Sequence, residues 1–199
     1  MPDSQVEEGT LVPQHVTKFS RALPWLLLVG GLVGLIVSFV LAVTTLRVIG
    51  IPGYRPSCDL VPFSDCHTVL AQGARVFGAP GSFIGIIWFP VVMTVGALAM
   101  STSLKRWFWL AFNAGTALSF AVAMGFTVQN LSVWGAVCGC SLLVLAIGLA
   151  IFLYTTLFNL SAGNIAAPAG LTARVSALHI LLLLAGYAVI GLFISLRLS

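Results

Sequence analysis

Four cysteines stand in two close pairs, Cys58 with Cys66 and Cys138 with Cys140, and the chain has no others. A thiolate exchanges with a disulfide only by meeting it, through a mixed disulfide of the two sulfurs. Two pairs gathered at one place form a dithiol relay, which marks the chain as a candidate thiol oxidoreductase. Competing chemistries are poorly served. A Cys-x7-Cys pair with a Cys-x-Cys pair matches no usual zinc finger or ribbon spacing, so no metal site is expected. No carboxylate follows Asp65, which argues against proton-driven transport and hydrolysis. The chain has no P-loop and no internal repeat.

The elements that must position these sulfurs are membrane helices. Hydrophobic residues make up 59% of the 199, charged residues only 7%, and mean hydropathy is +1.09, values that leave a soluble domain too little polar surface. The net charge of +4 is scattered without a patch, so nucleic acid is not an expected partner. Residues 1–21 read as a polar cytoplasmic tail without a cleavable signal pattern.

A hydrocarbon core about 30 Å thick needs roughly 20 apolar residues in a helix. Five stretches meet that need: Leu23 to Leu46, Phe83 to Met100, Trp107 to Phe126, Ala136 to Phe158 and Ala177 to Leu196. Between them, Ser101 to Arg106 is a basic turn, the stretch around Gln129 and Asn130 an uncharged one, and residues 159–176 a linker rich in alanine. An inner amino terminus puts Lys18, Arg21, Lys105, Arg106 and Arg174 inside, against Arg47, Arg55, Arg75 and Arg197 outside. Parity places the loops after the first and third spans on one side, so both cysteine pairs share it. With the amino terminus inside, that side is the oxidising periplasm or exterior.

The loop of residues 48–82 is broken early by Pro52, Gly53, Pro56 and Pro62. Ser64 and Asp65 then offer N-cap oxygens to a short helix from Cys66 to Phe77, with Val69, Leu70, Gly73 and Phe77 along one face. In the first turn, beside His67, Cys66 is favoured as thiolate and is the better nucleophile of its pair. A disulfide between Cys58 and Cys66 that staples the loop fits the spacing as well. Cys138 and Cys140 open the fourth span. Residues two apart in a helix point about 200° away from each other and cannot be bridged there. Gly139 lets Cys138 stay in coil while Cys140 starts the helix, permitting a small, strained, oxidising ring. The plainer alternative is two free cysteines packed as small apolar residues.

Several of these residues resemble a known family. Cys58-Asp59-Leu60, Pro62, Cys66, Val69, the run Phe77-Gly78-Ala79-Pro80 and Gly85 resemble the loop of bacterial vitamin K epoxide reductase homologues, and the likeness covers residues 22–158. Gln129 through Cys138 is similar to the approach to that family's active-site Cys-x-x-Cys. The resemblance implies an all-α, polytopic four-helix catalytic bundle with a fifth, C-terminal transmembrane helix outside it, residues 177–199. It implies a quinone, menaquinone or ubiquinone, beside the redox cysteines, and a separate secreted thioredoxin-like (DsbA-type) partner, since no such domain follows the fifth span. It further implies that Cys58 meets the partner, that Cys66 exchanges with Cys138 and that Cys140 faces the quinone.

Three positions depart from the family pattern: one residue rather than two between Cys138 and Cys140, Gly81 in place of an asparagine, and Gln72 in place of Ser or Thr. They motivate the competing reading, a non-catalytic membrane subunit or assembly factor of the same fold, within a larger complex, whose disulfides are structural. Gly81, Phe83, Trp88 and Phe89 are the expected quinone contacts, together with Cys140. Trp107, Phe108, Trp109 and Trp134 suit interfacial anchoring or packing, Pro90 should kink the second span, and His179 is expected to hydrogen-bond a neighbour. The location expected is a bacterial inner membrane.

Overall fold

The computed structural model describes residues 14–60, 64–72, 75–76, 79–102, 104–165 and 168–198. Long runs rich in Leu, Val, Ile and Ala form the helices α1 (Gln14–Gly50), α3 (Ser82–Ser101), α4 (Arg106–Trp134), α5 (Gly139–Ser161) and α7 (His179–Leu198), with Pro24 inside α1 and Pro90 inside α3. All five are long and apolar enough to cross a membrane. Between α1 and α3 lie a 3-10 turn (Ser57–Leu60), the short helix α2 (Cys66–Gln72) and two two-residue strands, β1 (Arg75–Val76) and β2 (Ala79–Pro80), paired antiparallel. A further short helix, α6 (Ala169–Ala177), precedes α7.

α1 packs along α3 and α5, and α4 along α5. Gly96 sets the closeness of the first pair: a Cβ there would stand 3.0 Å from the Pro24 carbonyl oxygen and the Leu28 nitrogen. Small residues at such crossings matter because lipid tails are as apolar as Leu and supply no hydrophobic drive for association. The core away from the cysteines joins Leu27, Phe89, Val92, Trp109, Phe112 and Ile151. Trp25, Ile87, Leu118 and most of the large side chains of α7 face outward, as a bilayer allows. α7 is held through Tyr187, whose hydroxyl donates to the Ala146 carbonyl at 3.0 Å.

Several expected boundaries move, for identifiable reasons. α1 extends back to Gln14 into the tail, because an apolar ruler measures the bilayer and not the helix. The stretch around Gln129 and Asn130 is not a turn. α4 runs through it and ends at Gly135, whose φ of 60° is the left-handed C-cap that glycine adopts without strain. The real turn is Gly135 to Cys138, so the fourth span starts at Gly139 rather than Ala136. α2 is Cys66–Gln72, short of Phe77, because Arg75 and Val76 pair as a strand with Ala79 and Pro80 instead. The linker contains α6, seeded by Pro168 at the N-cap position. Pro62, Gly73, Phe77 and Gly78 lie outside the described residues, as does most of the polar tail.

Candidate active site

Cys138 is the N-cap residue of α5, extended at φ −114° and ψ 125°, and Cys66 is the first residue of α2. A disulfide joins them. The bond made is thus neither the Cys58–Cys66 staple nor the Cys138–Cys140 ring but one between the two pairs. Cys58, in the 3-10 turn, places its sulfur 3.9 Å from Cys138 Sγ, and the sulfurs of Cys58, Cys66 and Cys138 all lie within 4.8 Å of one another. Cys140 packs against the same cluster of Leu41, Cys66, Val69, Ala136 and Cys138. Cys66 and Cys138 are 0% and 1% exposed, whereas Cys58 and Cys140 are half-buried. A protein partner can reach only the sulfurs that show.

The loop is fastened to the start of α5 by backbone and hydroxyl bonds. Asp65 N–H donates to the Val137 carbonyl at 2.9 Å. Ser64 does not cap α2 as its position suggests; its hydroxyl oxygen accepts Gly139 N–H at 3.2 Å, donates to the Cys58 carbonyl at 3.1 Å and lies 3.5 Å from Cys66 Sγ. Capping falls to Asp65, whose Oδ1 accepts Thr68 N–H at 2.9 Å. That bond, more than the nearby His67, holds the Asp65 carboxyl below the usual carboxylate range.

Between α1, α3, α4 and α5, against α2, is a cavity of about 140 Å³. An apolar cavity of about 150 Å³ accepts benzene, so there is room for one six-membered ring. Of the residues expected to contact a quinone, Gly81, Trp88 and Phe89 line it. Phe83 is exposed and Cys140 lies in the sulfur cluster; neither is among the lining residues. A Cβ at Gly81 would come 2.8 Å from the Phe126 ring, so the glycine leaves room for that ring. Thr127, Asn130 and Ser141 line the cavity and also a small hollow bordered by Cys138, which makes them the bridge from cavity to sulfur.

Asn130 escaped the sequence reading because it was assigned to a connector. The available signal was the absence of any proline between Arg106 and Gly135. Elsewhere, Trp107 and Trp134 are exposed while Trp109 is buried against Phe158, ring centroids 4.5 Å apart. His179 Nδ1 lies 2.8 Å from the Ser176 carbonyl, as expected of a hydrogen-bonded histidine near a helix end. Pro90 sits inside α3.

Comparison with curated proteins and with solved structures finds no match. Residues 25–156, more than half of the chain, match the vitamin K epoxide reductase family. That stretch holds both cysteine pairs, the cavity and nearly all of the four helices around it. The chain belongs to the vitamin K epoxide reductase family and is a multi-pass membrane protein of thiol-disulfide oxidoreductase type.

Proposed function

We propose that the chain carries electrons from a separate secreted thioredoxin-like dithiol, through Cys58 and Cys66 and then Cys138 and Cys140, to a quinone in the cavity. The outcome is disulfide formation on the periplasmic or extracellular side of a bacterial inner membrane. Family members generally use quinones and thioredoxin-like partners. The single observation that supports the reading most is the disulfide between the pairs, with the Cys58 sulfur beside it.

The sequence conserves electrons at each step. The partner dithiol reduces a Cys58–Cys66 disulfide and leaves oxidised. The freed Cys66 thiolate attacks Cys138 of a Cys138–Cys140 disulfide, forming the Cys66–Cys138 bond and releasing Cys140 as thiolate. Cys58 thiolate then attacks Cys66, which restores the loop disulfide and releases Cys138. The Cys138–Cys140 dithiol closes to a disulfide while two electrons and two protons pass to the quinone, giving hydroquinone. Extended backbone at Cys138 relieves the opposed directions that two helical cysteines would have.

In purified protein supplied with a reduced thioredoxin-like substrate and a soluble benzoquinone, Cys138→Ser or Cys140→Ser abolishes substrate oxidation. Cys58→Ser accumulates the Cys66–Cys138 bond, seen by non-reducing peptide mapping, because its resolving thiol is gone. Full oxidation in both helix-pair variants overturns the relay. So does a redox titration in which every disulfide resists reduction to below about −300 mV, the mark of structural staples.

A further inference from the structure

Among the described residues, two fully buried side-chain polar atoms have no hydrogen-bond partner, Asn130 Oδ1 and Ser82 Oγ, and both residues line the same cavity. Buried polar groups in folded proteins are almost always satisfied, so two orphans lining one cavity identify a place where a ligand supplies the missing bonds. The threonines of the lining are partly spent: Thr45, Thr116 and Thr127 each donate their hydroxyl proton to a carbonyl of their own helix, Leu41, Asn113 and Ala123. The lining serines Ser38, Ser119 and Ser141 are not among the buried orphans. Gly81 brings no side chain. Asn130 is 8% exposed and borders the hollow that touches Cys138, which sets it between the ring site and the sulfur.

We propose that Asn130 is the residue that hydrogen-bonds the quinone oxygen nearest Cys138, with Ser82 as a second polar contact. This rests on the quinone reading above and adds to it the contact that orients the ring. A primary amide suits the task in both redox states. Its NH2 donates to the carbonyl of the quinone, and after two electrons and two protons have arrived its oxygen accepts from the hydroxyl of the hydroquinone. Rotation of the amide about its last bond exchanges the two roles. A threonine whose proton is committed to the backbone cannot do both.

The test compares wild type with Asn130→Leu, which keeps the volume, and Asn130→Ser, which replaces the amide with a shorter polar group, a hydroxyl that can still donate and accept. The probe is a soluble benzoquinone with dithiothreitol as reductant, read as KM and kcat, and as the melting-temperature rise the quinone alone produces. Asn130→Leu is expected to raise KM about tenfold, the worth of one hydrogen bond, with kcat changed far less. It loses most of the quinone-induced melting shift, while the melting temperature without quinone holds or rises. Asn130→Ser recovers part of the KM. Unchanged KM and unchanged ligand shift in both variants, with wild type turning over, overturn the role of Asn130 and leave the quinone reading standing. A wild type that neither reduces the quinone nor is stabilised by it overturns both.

Discussion

Two buried asparagines sit at opposite ends of the bundle and are treated in opposite ways. Asn159, on α5 far from the cysteines, is fully buried and fully engaged: its Nδ2 donates to the Trp109 carbonyl at 3.2 Å and the Thr155 carbonyl at 3.1 Å, and its Oδ1 accepts from Asn164 at 2.9 Å. Arg106 closes the same end by donating from Nε to the Asn164 carbonyl at 3.0 Å. Asn130, at the cysteine end of α4, has a buried oxygen with no partner. One end of the bundle is a closed polar network that locks α4, α5 and the following turn together. At the other end a polar group is left open beside a cavity and a disulfide. Stability and reactivity are therefore divided along the membrane normal, and a buried polar residue reveals its role by whether its bonds are complete.

The largest effect expected under this division comes from Cys140→Ser. Turnover falls to background, yet melting hardly moves, because Cys140 is only half-buried and forms no disulfide in this state. Asn159→Leu is the converse. It leaves the Trp109 carbonyl and the Asn164 amide without their partner and costs about 1–2 kcal/mol, near the upper end for hydrogen bonds between membrane helices. Its melting temperature falls while quinone KM stays. If Asn159→Leu shifts KM, or Asn130→Leu lowers the melting temperature as much, the two ends are not separate and the comparison fails.

The sequence made one side of this division readable. The five spans, the shared side of the cysteine pairs and the aromatic wall at Trp88 and Phe89 all follow from apolar length, parity and ring type. What stayed hidden was set by local polar geometry. Asn130 and Gln129 lower hydropathy enough to imitate a turn, but helix ends are decided by breakers and caps, and the breaker is Gly135. Ser64 stands one residue before Asp65, where either could cap α2; the choice depends on where Gly139 N–H lies, and that is a tertiary fact. The Cys66–Cys138 bond was accessible only through family likeness, since a single bond among four sulfurs can form in six ways and no spacing rule selects among them.

Ser64 offers a smaller perturbation of the reactive end. Ser64→Ala leaves Gly139 N–H without its acceptor and the Cys58 carbonyl without its donor, loosening the loop against α5. The exchange between loop and helix pairs slows by about three- to tenfold, the range for one or two modest hydrogen bonds used in positioning. Rapid-quench trapping of the Cys66–Cys138 species measures it. Melting is nearly unchanged because the network around Asn159 is untouched, and a large drop in melting would mean that the loop belongs to the stable end after all.

The smallest effect belongs to Asp65 and depends on pH. Its folded pKa is lowered, first by the bond from Thr68 N–H, so the carboxylate form stabilises α2. The unfolded loop would hold its proton to higher pH, near the ordinary value of 3.8. The stabilisation is therefore complete above that value and is lost as pH falls through the lower folded pKa. At neutral pH Asp65→Ala should speed amide exchange in α2, whereas Asp65→Asn, itself a good cap, should not. As pH falls below the carboxylate range, the wild-type advantage over Asp65→Ala should shrink while that of Asp65→Asn persists. Because α2 rests on the bundle mouth rather than inside it, the change is confined to the loop. The same acidification leaves the network around Asn159, with no carboxylate in it, as it was.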